Sequence, residues 1–115
     1  MNEETFPGYL KQYLVADKIE FISYSQRGQG VILPNGVMFI DAFESLEKQV
    51  KIAMHEVLHF HPAFIAYTGA LWTGTCARDE HIENLIEEHA QKVLITRRDI
   101  VDLARESFIQ ARRKL

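Results

Sequence analysis

Cysteine is almost absent from this chain: Cys76 stands alone among 115 residues. One thiol cannot form an internal disulfide, so the fold is held without a covalent staple, as suits a reducing compartment. Proline is scarce too, with three residues, which leaves long stretches open to helix. No apolar run approaches the roughly 20 residues that a membrane-spanning helix needs. The opening Met1-Asn2-Glu3-Glu4 is acidic, with no apolar stretch of the kind a secretion signal carries, so the expectation is a cytoplasmic protein with no membrane partner. Basic charge is not in excess either. The formal net charge is −3, which argues against nucleic-acid binding as the main task. Repeats, linkers and low-complexity tracts are missing. The rest, 47% apolar and 25% charged with both signs mixed, is the composition of one globular domain over residues 1–115, large enough to build its own core.

Against that background His55-Glu56-Val57-Leu58-His59 stands out, because it reads H-E-x-x-H. Residues four apart on an α-helix lie one turn above the other on one face. Two imidazoles so placed can bind one Zn²⁺, with Glu56 beside them as a base. The flanks are helical: Leu46, Val50, Met54, Val57 and Leu58 recur at helical spacing and form an apolar stripe. Pro62 closes the segment.

Upstream, residues from about Glu3 to Val15 read as a short packing helix with Tyr9, Leu10, Tyr13 and Leu14 on one side. Ile19 to Tyr24 is rich in β-formers and predicts a strand. Arg27-Gly28-Gln29-Gly30 predicts a turn. Val31 to Leu33 and Val37 to Ile40 flank Pro34-Asn35-Gly36, and Asn-Gly between two β-rich runs predicts a hairpin. Asp41 and Glu44 have the spacing of a capping box for the next helix. The strand Val37 to Ile40 is a candidate edge for pairing with an extended peptide. Downstream, Ala63 to Cys76 mixes aromatic and small residues, Phe64, Tyr67 and Trp72 among them, as a pocket wall or lid does. Asp79 to Ile95 predicts a second helix with Ile82, Leu85, Ile86, Ala90, Val93 and Leu94 inward. Thr96 is placed to cap a last helix, Arg97 to Lys114, with Ile100, Leu103, Ala104, Phe108 and Ala111 inward. Its Arg112-Arg113-Lys114 ending complements a helix C-terminus. The fold class is therefore α+β: a small antiparallel sheet packed against the H-E-x-x-H helix and further helices.

A catalytic zinc takes three protein ligands and keeps one position open. Pro62 and Ile65 occupy the places where the extended motif would need Gly and a third His, and His61 is too close to His59 to share its helix face. A carboxylate from the second long helix is what remains. Glu83, Glu87 and Glu88 are the candidates, with His89 a rival. At about 100° per residue Glu83 and Glu87 fall on the edge of the apolar stripe, His89 falls inside it and Glu88 points away. Helix geometry leaves Glu83 and Glu87 both open.

Gly36-Val-Met-Phe-Ile-Asp41, then Val50-Lys-Ile-Ala-Met-His-Glu-Val-Leu-His59, then Glu87-Glu-His-Ala90-Gln-Lys-Val93 resembles the ImmA/IrrE family of zinc metallopeptidases. Members show a strand, an H-E-x-x-H segment and a downstream E-x-x-A-(N/D)-x-F-A helix. The resemblance implies a zincin-like fold, a zinc site of His55, His59 and Glu87, and Glu56 as catalytic base. It also implies a regulatory endopeptidase that cleaves a helix-turn-helix transcriptional repressor of a phage or mobile element. This chain has Gln91, Val93 and Leu94 where the family has Asn/Asp, Phe and Ala, and Leu58 where Gly is common. The donor for the oxyanion is left among Tyr67, His81 and His89. Two other classes stay open: a non-proteolytic zinc module that binds a partner, and a SprT-like protease with His89 as third ligand. Oligomeric state, cleavage site and host are not legible.

Overall fold

A computed structural model describes residues 6–23, 29–65 and 80–115. The hairpin forms where Asn35-Gly36 predicts it. Gly36 takes a φ of +90°, which an L side chain rarely adopts. The Asn35 side-chain oxygen accepts from the Val37 amide at 3.0 Å, and the Leu33 amide donates to the Val37 carbonyl at 2.9 Å. A side chain at 36 would also run into the Tyr13 ring. The turn joins β2 (Gly30–Ile32) to β3 (Met38–Asp41), antiparallel, with Ile32 opposite Met38.

The sheet has three strands in the order β1-β3-β2, β1 being Ile19–Ile22. It differs from the expected antiparallel sheet, because β1 pairs parallel with β3, Ile19 opposite Met38. The chain skips a position after β1, and β3 returns between the two earlier strands. Val37 to Ile40 is therefore not an edge: β3 is hydrogen-bonded on both sides. Its alternation buries Met38 and Ile40 on the helix-covered face.

α1 (Leu46–Leu58) carries the histidine motif and forms the hub. It packs on β2, β3 and both later helices. The expected stripe is inward: Val50, Met54, Val57 and Leu58 are buried and Leu46 partly so, each full burial contributing on the order of 2 kcal/mol. The cap is not the Asp41–Glu44 box. A turn over 42–44 comes first, and Ser45 Oγ accepts from the Lys48 amide at 3.2 Å. Asp41 instead holds the turn by accepting from the Phe43 amide. Helical hydrogen bonding stops before Pro62, and His59 keeps a helical backbone at the C-cap, so the turn-apart relation of His55 and His59 survives.

The N-terminal packing segment is two short 3-10 pieces, Gly8–Tyr13 and Ala16–Lys18, rather than one α-helix. Pro7 and Gly8 prevent a longer start, and residues 1–5 lie outside the described chain. Phe6, Leu10 and Leu14 are fully buried. Tyr13 stacks on Phe60 at 4.6 Å, and Tyr9 donates to the Phe60 carbonyl at 2.7 Å. This clasp holds the end of α1 directly after His59.

α2 (Glu80–Thr96) and α3 (Arg98–Arg113) complete the described fold. Ile82, Ile86, Ala90 and Val93 are buried on α2, whereas Leu85 is at the surface. Thr96 does not cap α3; its hydroxyl donates back to the Lys92 carbonyl and closes α2. Arg97 is the joint between them, buried, bonded to Asp99 and to the Phe6 carbonyl. Ile100, Ala104, Phe108 and Ala111 face inward as expected. Among the described residues no helix is long and apolar enough to cross a membrane. Tyr24, Arg27, Gly28, Tyr67, Trp72 and Cys76 lie outside the described residues.

Candidate metal centre

The sequence brings His55 and His59 together through one turn of α1. Their rings stand 5.4 Å apart, edge to face. What faces them is decided by α2, which lies alongside. Ile82 and Ile86 are buried and anchor α2, and this presents Glu83 and Glu87, on successive turns, to the histidines.

Glu83 spans both rings. Its Oε1 is 3.1 Å from His55 Nε2 and its Oε2 is 3.3 Å from His59 Nε2. Donor atoms of His55, His59 and Glu83 lie within 4.8 Å of one another, as a metal-binding group requires. The donor set fits a divalent ion of zinc's kind. Four ligands at ~2.1 Å in a tetrahedron stand about 3.4 Å apart, close to the separations Glu83 keeps from each imidazole.

Glu87, which the resemblance marks as a ligand, is elsewhere on His55. Its Oε2 is 2.7 Å from Nδ1, on the ring edge away from the nitrogen that faces Glu83. The Nε2 atoms and Glu83 lie together in one group, and Glu87 contacts the other nitrogen of His55. A carboxylate on the second nitrogen of a metal-binding His fixes its tautomer and ring orientation. Gln91 in turn donates to Glu87 Oε1 at 3.0 Å.

Electrostatics follow this geometry. Burial pulls the His55 imidazole down, but hydrogen bonds to Glu83 and Glu87 and the nearby charge of Glu56 together raise it above the ordinary histidine value. Burial pushes the Glu87 carboxyl up, but the hydrogen bonds from Gln91 and His55, with the charges of His55 and Lys48, hold it below the ordinary carboxylate value.

Glu56 is buried, 8% exposed, and follows His55 in the chain. It is among the residues that line an open groove of about 400 Å³. The groove also takes in His55, Ile52, Lys51 and Lys48 from α1, Gly30 at the start of β2, and Glu87 and Gln91 from α2. Gly30 matters for this closeness. A Cβ there would come within 2.3 Å of the Ile52 side chain, so only glycine lets the strand lie this near α1.

The remaining candidates divide. Glu88 is exposed. His89 packs against His61 at 5.1 Å and Phe64 at 6.0 Å between ring centres and is not in the His55–His59–Glu83 group. His81 is exposed at the first turn of α2. Tyr67 lies outside the described residues. Sequence reasoning passed over Lys48, Lys51 and Gly30, although a helical wheel puts both lysines near the face of His55. Comparison with known proteins finds no matching family model, no matching curated protein and no matching solved structure.

Proposed function

We propose that this chain is a zinc-dependent endopeptidase with His55, His59 and Glu83 as metal ligands and Glu56 as general base. The observation that carries the reading is the Glu83 carboxylate bridging two imidazoles of an H-E-x-x-H turn at 3.1 and 3.3 Å. Three protein donors, one of which, His55, lines a groove together with Glu56, is the composition of a catalytic centre; a structural zinc site is closed by four. The small sheet laid over α1, with a carboxylate from the next described helix, is zincin-like in this reading.

A zinc ion held there supplies Lewis acidity, polarising a carbonyl oxygen and bringing the pKa of a water towards ~7. The chain's own groups do the rest. Glu56 takes the proton of the attacking water and passes it to the leaving amine nitrogen. Its near-complete burial keeps water from competing for that proton and strengthens its field on the reacting atoms. Glu87 holds the His55 ring through Nδ1 so that Nε2 faces the centre, and Gln91 holds Glu87. The groove admits an extended peptide beside His55 and Glu56.

The proposed substrate is a helix-turn-helix transcriptional repressor in the same cytoplasm. It is supported by the family resemblance, which is an analogy, and by the small size and lack of cysteine pairs. The test is co-expression with the repressor encoded beside this chain's gene, comparing wild type with Glu56→Gln. Repressor fragments and a rise in reporter expression are expected with wild type alone. An intact, active repressor in both cells contradicts this substrate, and a Glu56→Gln protein that still cleaves peptides contradicts the mechanism.

A further inference from the structure

We propose that Lys48 and Lys51 select substrates that carry a carboxylate two or three residues from the bond to be cleaved. This rests on the reading of His55, His59 and Glu83 as an open metal centre and adds to it a substrate class.

Three observations lead there. The groove that reaches His55 and Glu56 does not end at them; it continues along α1 to Lys51 and Lys48. Their positions, four and seven residues before His55 respectively, put both lysines near the histidine's face of the helix, one and two turns away. Both side chains are exposed, and neither forms an ion pair with a described residue, whereas Arg105 and Lys114 on α3 and beyond it are paired with Glu47 and Asp17.

Charge balance gives the sign of the ligand. With a divalent ion at the centre, the carboxylates of Glu56, Glu83 and Glu87 leave the two lysines in slight excess. Lys51 lies about one helical turn from His55 and Lys48 about two. The spare positive charge therefore lies about one to two helical turns from the reacting position. Along α1, four and seven residues correspond to about 6 and 10 Å. An extended peptide advances about 3.3 Å per residue, so its second or third residue from the cleaved bond comes opposite the ammonium groups. The shared chemistry is a carboxylate, from an Asp or Glu side chain or from a peptide C-terminus.

The experiment uses the zinc-loaded full chain and short peptide hydroxamates, measured by calorimetry at low salt. One series extends the peptide to the N-terminal side of the hydroxamate and the other to the C-terminal side. Each carries Glu or Gln at the second or third residue, and the second series also compares a free C-terminal acid with its amide. In one orientation the carboxylate compound is expected to bind about fivefold tighter, the range of exposed ion pairs, with the gain fading as salt rises. Lys48→Gln/Lys51→Gln is expected to keep full zinc content and lose the gain. A gain for the free acid without one for Glu identifies the C-terminal carboxylate as the source. Equal affinities throughout, or a gain that persists in the double variant, overturn the proposal. Failure of every hydroxamate to bind a zinc-loaded chain instead removes the open metal centre itself, and the selectivity falls with it.

Discussion

α2 and α3 invite comparison. They are 17 and 16 residues long, are separated by Arg97, and both pack on α1. Both bury one apolar face. Their polar faces differ in what answers them. On α3, Arg105 pairs with Glu47, Arg112 donates to Gln49 Oε1 at 2.6 Å and to the Glu44 carbonyl, and Ser107 donates to the Leu14 carbonyl. Every one of these partners is a structural group. On α2, Glu83 and Glu87 are answered by His55 and His59, groups with a use of their own. One helix ties the fold together, and the other turns its carboxylates to a pair of histidines. α1 serves both, with its apolar stripe on one side and its motif on the other.

If that division holds, changes on the α2 side should remove metal and leave the fold, and changes on α3 should do the reverse. The largest expected effect is His59→Ala. It removes a ligand, and zinc affinity should fall at least about a thousandfold in a chelator competition, with helical circular dichroism unchanged. Next is Phe108→Ala on α3. Phe108 is fully buried and lies 5.9 Å from the Phe21 ring, so urea denaturation should show a loss of about 3–5 kcal/mol. The zinc affinity of the fraction that remains folded should barely move. Loss of metal binding in folded Phe108→Ala would break the comparison.

Smaller effects sharpen it. Glu87→Gln loses the charge that holds His55, and zinc affinity should drop about 10- to 100-fold, as for other carboxylates behind a metal-binding His. Arg112→Ala leaves buried Gln49 without its donor and should cost about 1–2 kcal/mol in urea with no change in zinc affinity. Glu88→Gln should alter neither quantity, because Glu88 is exposed on the far side of α2.

Much of this was legible in the residues. The stripe of α1, the Asn35-Gly36 turn and the inward face of α3 follow from period and turn chemistry, which are local. The parallel pairing of β1 with β3 was not legible, because strand order depends on where the chain crosses and not on any one strand's composition. Ser45 displaced the Asp41–Glu44 cap for a similar reason: both patterns satisfy the local rule, and the turn at 42–44 chose between them. The site shows the same limit. Spacing narrowed the carboxylate to Glu83 or Glu87. The choice depends on how far α2 slides along α1, which periodicity does not give. The E-x-x-A pattern of the resembled family points to Glu87, and the structure puts both glutamates on His55, through different nitrogens.

The central claim is that Glu83 completes the centre and Glu87 supports it. A crystal of the zinc-loaded protein, with anomalous scattering measured at the zinc edge, tests it most directly. The account predicts one ion bonded to the Nε2 atoms of His55 and His59 and to Glu83 at about 2.0–2.2 Å, with Glu87 still hydrogen-bonded to His55 Nδ1. An ion bonded to Glu87 with Glu83 turned away would contradict it, as would a zinc-saturated crystal with no ion between the two histidines.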